Sequence, residues 1–147
     1  MSEPQQTLTI QQALDLAVQH HTAGRLSQAE NIYQQILQSD PNQPVALHLL
    51  GVIAHQVGKN DTAVDLITKA LAIKPYLAEA HNNLGNVLKA EDALGEAEDA
   101  YRRALAARPG YVDAEYNLGI ALEAQGRFTD AEASYRRCLE SDPGFTR

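Results

Sequence analysis

The sequence repeats itself every 34 residues, and this period restricts the chain to a small group of folds. For the prolines, 75 − 41, 109 − 75 and 143 − 109 each give 34. The residues that recur at this step are Pro41, Pro75, Pro109 and Pro143; Ala29, Ala63, Ala97 and Ala131; and Leu16, Leu50, Leu84 and Leu118. A fixed period of this length is typical of stacked copies of one supersecondary unit. We therefore predict a stack of four repeats.

The period divides the chain into a polar N-terminal tail (1–9), a single domain (10–145) and two final residues (146–147) with no capping helix. The repeats are 10–43, 44–77, 78–111 and 112–145. Each is predicted to contain two helices, because apolar residues such as Leu47, Leu50 and Ile53 recur at helical spacing and the closing proline ends the second helix. The turn between the two helices holds Gly58 or an equivalent residue in the left-handed conformation. The equivalents are Gly24, Asp92 and Gly126.

The start of the second helix carries the pattern of an N-terminal cap. Ser27 with Glu30, and Thr129 with Glu132, fit the capping box, in which a hydroxyl and a carboxylate satisfy backbone donors reciprocally. Asp61 fits the first half of this arrangement in the second repeat. We expect these residues to cap their helices.

Glycine recurs in the middle of three first helices, at Gly51, Gly85 and Gly119. Glycine within a helix costs roughly 0.5–1 kcal/mol relative to alanine, so its recurrence indicates a close approach of a neighbouring helix backbone. The recurring alanines of the second helices are expected to face these glycines. Larger residues then fill the groove beside them, namely Tyr33, Ile67, Tyr101 and Tyr135.

At these residues the chain resembles the tetratricopeptide repeat family. The small residue of the first helix, the alanine and aromatic residue of the second, and the closing proline all match at the family's period. The resemblance implies an all-α, right-handed α-solenoid of four helix-turn-helix units. It also implies that the first helices line a concave groove for protein–protein recognition. The family's tryptophan position departs from the pattern, since it holds Ala13, Leu47, His81 and Glu115.

The composition argues against some classes of partner. The net charge of −7 argues against a role on nucleic acid phosphates. No signal-peptide pattern and no apolar run of membrane-spanning length is present, so we expect a cytoplasmic protein that does not bind membranes. The single cysteine, Cys138, excludes an internal disulfide framework.

The candidate peptide site lies on the first helices, where residues three, four and seven apart share a face. An amide side chain can donate to a carbonyl and accept from an N–H, so a row of asparagines can hold an extended peptide backbone. Asn83 and Asn117 resemble the asparagine ladder of O-linked N-acetylglucosamine transferase repeats, whereas Asp15 and Leu49 occupy the other two ladder positions. The predicted site comprises His48, Val52, His55, Asn82, Asn83, Asn86, Lys89, Tyr116 and Asn117.

The sequence indicates neither catalysis nor a cofactor. The histidines have no cysteine or carboxylate at zinc-like spacing, so no metal site is expected. Cys138 occupies a small-residue packing position and has no histidine–asparagine partnership. The basic positions of the family's terminal-carboxylate clamp hold Leu14, His48 and Asp113, so that ligand is not expected either. We predict that the chain by itself is not an enzyme.

Two alternatives to a peptide-binding module stay open. The segments 47–56 and 81–86 look like repeats that precede glycosyltransferase domains, so the chain could be the substrate-recruiting region of a larger transferase-like enzyme. The last repeat could instead mediate homo-oligomerisation. In that case Tyr135, Cys138 and Leu139 would be half exposed in a monomer, a patch that favours association.

Overall fold

The computed structural model describes residues 8–145, and each regular element within them is an α-helix. The helices are α1 (Ile10–Thr22), α2 (Leu26–Ser39), α3 (Pro44–Gln56), α4 (Asn60–Ile73), α5 (Ala78–Ala90), α6 (Leu94–Ala107), α7 (Val112–Ala124) and α8 (Phe128–Ser141). Successive pairs form four helical hairpins, and each hairpin packs on the next. This confirms the predicted all-α solenoid. Of the predicted tail, residues 1–7 lie outside the described range, as do residues 146–147.

The turn inside each hairpin has the predicted left-handed residue. Gly24, Gly58 and Gly126 have φ between 78° and 84°, and Asp92 has φ 61°. The following residue closes the turn, as where Lys59 N donates to Ala54 O at 2.8 Å. The four hairpins therefore share one turn geometry, although the third has no glycine in it.

The predicted caps of the second helices are wrong. The N-cap of each of these helices lies two residues earlier than expected, at Arg25, Lys59 and Arg127, which make no side-chain cap hydrogen bond. The short turn leads directly into the helix, so Ser27, Asp61 and Thr129 already lie in the first helical turn. The capping box lies elsewhere, at α1. There the Thr9 hydroxyl accepts from Gln12 N at 3.1 Å, and Thr9 N donates to Gln12 Oε1 at 2.9 Å.

The mid-helix glycines are positions of close approach, but mainly to a side chain. A Cβ at Gly119 would lie 2.5 Å from Cε1 of Tyr135, and one at Gly51 would lie 2.7 Å from Cγ1 of Ile67. At Gly51 the backbone is also near, with the Ala63 carbonyl oxygen 3.2 Å away. The large residue of the second helix therefore packs against the glycine itself, across the hairpin.

First helices of neighbouring repeats also contact each other: α3 contacts α5, and α5 contacts α7. We call the side of the stack formed by α1, α3, α5 and α7 the inner surface. Within residues 8–145, no helix combines the length and apolar character needed to cross a membrane.

Candidate functional site

A pocket of about 550 Å³, the inner pocket, opens on the inner surface between the second, third and fourth repeats. Six of the nine predicted site residues line it: Val52, His55, Asn83, Asn86, Lys89 and Asn117. Ile67, Val87 and Ala90 complete the lining and were not predicted. Val87 and Ala90 could have been found by extending the helical spacing from Asn83 and Asn86, whereas Ile67 lies on α4.

His48 is only 2% exposed and is not among the residues that line this pocket. Nδ2 of Asn83 lies 2.7 Å from Nε2 of His48. An amide nitrogen can only donate, so the histidine is the acceptor and is uncharged. Burial lowers the pKa of His48 to about 4, while the nearby Glu79 carboxylate acts in the opposite direction. His48 thus orients Asn83 and does not itself reach a ligand.

Asn82 is buried in the same way one repeat later. Asn117 Nδ2 donates to Asn82 Oδ1 at 3.0 Å, and the Asn82 side chain is 6% exposed. Both hydrogen bonds join residues 35 positions apart, which is one repeat plus one residue. Asn83 and Asn117 are therefore the later members of two equivalent pairs. Both line the pocket, and the Oδ1 of each has no hydrogen-bond partner among the described residues.

Asn86 uses its amide oxygen, not its amide nitrogen, in its hydrogen bond within the protein. Its Oδ1 accepts a hydrogen bond from the Tyr101 hydroxyl at 2.7 Å. The Asn86 amide group is left as a donor. The three amides of the pocket therefore offer two acceptors, from Asn83 and Asn117, and one donor.

His55 and Lys89 add polar groups at one end of the pocket. His55 Nδ1 lies 2.9 Å from Asn60 Oδ1, and Asn60 Nδ2 donates to Glu91 Oε1 at 2.6 Å. The acceptor oxygen of Asn60 places a proton on Nδ1 of His55. Burial lowers the pKa of Lys89.

Tyr116 lies outside the pocket lining. Its ring packs against Tyr135, at 5.9 Å between centroids, and against Phe145, at 5.2 Å. Tyr116 is the equivalent of His48 and Asn82 in the last repeat (82 + 34 = 116).

The proposed self-association patch is only partly exposed. Cys138 was expected to be half exposed, but it is 2% exposed, and its thiol donates to the Val112 carbonyl at 3.8 Å. Burial is the main cause of the raised pKa of this thiol. Leu139 is 51% exposed and Tyr135 is partly buried. Self-association through Tyr135 and Leu139 stays a prediction, and a monomeric mass by light scattering at high protein concentration would exclude it.

A second pocket, the outer pocket, has a volume of about 660 Å³ and lies between the second helices α4 and α6. It was not predicted. His81, at the family's tryptophan position, lines it together with Leu84, Leu88 and Tyr76. His81 Nε2 donates to the Pro75 carbonyl at 2.7 Å, and its buried Nδ1 has no hydrogen-bond partner in the part of the chain that the structure describes. The replacement of a large aromatic residue by histidine was the available sequence signal for this space.

Within residues 8–145, no three His, Cys, Asp or Glu side chains come together as potential metal ligands.

The tetratricopeptide repeat family matches residues 14–78 and 82–144. The chain is 30% identical over 86 residues to a UDP-N-acetylglucosamine–peptide N-acetylglucosaminyltransferase of Caenorhabditis elegans, an alignment covering 58% of this chain and 8% of the transferase.

Solved structures agree on the fold. A crystal structure of MamA superposes with a TM-score of 0.79 at 29% identity, over 88% of this chain and 75% of MamA. The O-GlcNAc transferase of Thermobaculum terrenum superposes with a TM-score of 0.79 at 31% identity, over 87% of this chain and 26% of the enzyme. MamA from Desulfovibrio magneticus, at 16% identity, has a TM-score of 0.80 over 95% of this chain and 78% of that chain, which shows the shared fold alone.

Proposed function

Because the chain belongs to the tetratricopeptide repeat family, we propose that it is a protein-interaction module that binds an extended peptide segment in the inner pocket. The observation that carries the proposal is the fixed orientation of the pocket amides. Asn83 and Asn117 each use their amide group on a buried partner, His48 or Asn82, and keep an oxygen for a ligand. Asn86 keeps an amide donor.

This arrangement suits a peptide backbone. An extended segment presents N–H and C=O groups in turn, so it can donate to Asn83 and Asn117 and accept from Asn86. The buried partners hold the amides in place before binding, which reduces the conformational entropy lost on association. Val52 is the partly exposed apolar residue of this lining and would contact a small side chain of the peptide, since Ile67 and Val87 are buried.

The experiment compares wild type with the double variant Asn83→Ala/Asn117→Ala in binding a library of capped random heptapeptides. A matched control, Gln28→Ala/Gln35→Ala, removes two amides from the exposed face of α2. Thermal unfolding identifies the temperature range in which all three proteins are folded. We expect the double variant to lose binding by about tenfold or more, because each lost hydrogen bond is worth about 0.5–1.5 kcal/mol. Equal retention by wild type and the Asn83/Asn117 variant would overturn the role of the amides.

The setting of this module is a second proposal. Both the C. elegans and the T. terrenum transferases resemble the chain over a small part of their own length. This similarity favours a substrate-recruiting region attached to a glycosyltransferase. The reading frame downstream of Arg147 tests it: a catalytic domain is expected there, and an immediate stop codon would contradict it. The cytoplasmic location stays a prediction that cell fractionation can test.

A further inference from the structure

Lys89 supplies the only ammonium group among the residues that line the inner pocket. Among the described residues, its Nζ takes part in none of the ion pairs or side-chain hydrogen bonds. Lys59, Lys69 and Lys74 likewise form none of these ion pairs, so what distinguishes Lys89 is its partly buried position at the pocket.

The other repeats satisfy the polar group at this position. The equivalents of Lys89, at steps of 34, are His21, His55 and Glu123. His21 Nε2 donates to Gln56 at 2.7 Å, His55 bonds Asn60 at 2.9 Å, and Glu123 accepts from the Tyr135 hydroxyl at 2.7 Å. Lys89 is thus the one member of this row without a partner.

The repeat register explains why Lys89 has no partner. His21 bonds the residue 35 positions ahead, Gln56. The same step from Lys89 leads to Ala124, and the five-residue step by which His55 reaches Asn60 leads from Lys89 to Leu94; neither residue has a polar side-chain atom. Glu123 accepts from the Tyr135 hydroxyl and Glu91 accepts from Asn60, and neither forms an ion pair with Lys89.

The position of the ammonium group makes this lack of a partner costly. Lys89 is partly buried, and burial lowers its pKa without an opposing contribution from a nearby carboxylate. A charge that loses water without gaining a counter-charge destabilises its site. An anion bound beside it would restore the lost interaction. Asn86, one helical turn away, has an amide donor that can bind the same anion.

We propose that Lys89 binds the carboxylate of an aspartate or glutamate side chain in the peptide held by the inner pocket. The inference rests on the proposed function and specifies its ligand further. A single acidic residue fits better than an acidic run, because the chain has a net charge of −7 and the same row ends in Glu123. The peptide is therefore expected to be neutral or basic around that one carboxylate.

The test uses capped heptapeptide libraries with random flanks and a fixed central residue: glutamate, glutamine, lysine or phosphoserine. Binding is measured for wild type, Lys89→Gln, Lys89→Glu and the control Lys69→Gln. The control makes the same charge change at an exposed position of α4. Circular dichroism establishes that each variant is folded at the temperature used.

Wild type and Lys69→Gln should prefer glutamate over glutamine by about fivefold to tenfold, the range of a charge-assisted hydrogen bond in a partly exposed site. Lys89→Gln should lose the preference, and Lys89→Glu should prefer lysine. If wild type binds glutamate and glutamine libraries equally while Asn83→Ala/Asn117→Ala weakens both, the carboxylate assignment fails and the peptide function stands. A stronger preference for phosphoserine than for glutamate would overturn the assignment in favour of a phosphate site. If no library binds, both proposals fail.

Discussion

Nδ2 of Asn83 lies 2.7 Å from Nε2 of His48, a residue of the preceding repeat. The pair Asn82–Asn117 repeats this relationship with the same 35-residue offset. In each pair the earlier residue is buried and the later one is at the inner pocket. The solenoid thereby uses its own stacking to fix the orientation of the side chains on its inner surface.

The first prediction concerns pH. The pKa of His48 is lowered from 6.5 to about 4, so the unfolded state binds a proton more readily than the folded state. The stabilisation is complete above about pH 6.5 and is lost as the pH falls through about 4. A shift of this size corresponds to about 3 kcal/mol. The free energy of unfolding is measured in urea at pH 7 and at pH 4 for wild type and His48→Gln. Between these pH values it should fall less in His48→Gln than in wild type, by about that amount. Parallel losses in the two proteins would contradict the buried, neutral histidine.

The second prediction compares two glycines in helices. A Cβ at Gly85 would overlap the Tyr101 ring and would lie 2.7 Å from Cδ1 and 2.8 Å from Cζ. Gly95, in the first turn of α6, has nothing within 4 Å. We expect Gly85→Ala to lower the free energy of unfolding by about 1–3 kcal/mol through overpacking. Gly95→Ala should raise it by about 0.5–1 kcal/mol through helix propensity. Changes of the same sign in both variants would contradict the close contact at Gly85.

The third prediction concerns a carboxylate that joins the last two repeats. Glu98 accepts from Arg127 at 2.7 Å, from Arg102 at 3.0 Å and from Gln125 at 3.2 Å, and its side chain is 13% exposed. Its equivalent, Glu132, is 74% exposed and, within residues 8–145, pairs only with Arg136. Glu98→Gln should destabilise the fold by about 1–2 kcal/mol, whereas Glu132→Gln should change stability by less than about 0.5 kcal/mol. Equal effects in urea unfolding would show that the Glu98 network contributes little.

The fourth prediction concerns the reactivity of Cys138. Its side chain is 2% exposed and burial raises the pKa of its thiol, so little reactive thiolate reaches solvent. Reaction with an aromatic disulfide reagent should be slower in the native protein than in denaturant by about tenfold or more. A native rate close to that of the unfolded chain would mean that α8 opens readily or that the thiol is exposed.

The period made most of the fold predictable. Each turn residue from Gly24 to Gly126 and each large residue facing a mid-helix glycine follows from one 34-residue alignment. The second-helix caps were not predictable from Ser27 or Thr129, because residue type alone does not distinguish the N-cap from the second helical position. The backbone geometry of the preceding turn decides between them.

The candidate site was less predictable than the fold, because the period predicts which helix face a residue lies on but not how deeply its side chain is buried. Asn82 and Asn83 are neighbours on α5, yet Asn82 is buried, like its equivalent His48 on α3, whereas Asn83 is only partly buried. The 35-residue offset that pairs His48 with Asn83 could have been read from the sequence by asking which side chains meet across repeats. For the outer pocket, the histidine at the family's tryptophan position was a signal in the sequence, but the extent of the cavity required the structure, because it depends on what neighbouring side chains leave unfilled.

Backbone amide shifts in an NMR titration with a peptide selected from the library test the central claim most directly. The account predicts that the shifts concentrate on α3, α5 and α7, around Asn83, Asn86 and Asn117. Shifts concentrated on α4 and α6, around the outer pocket, would contradict it.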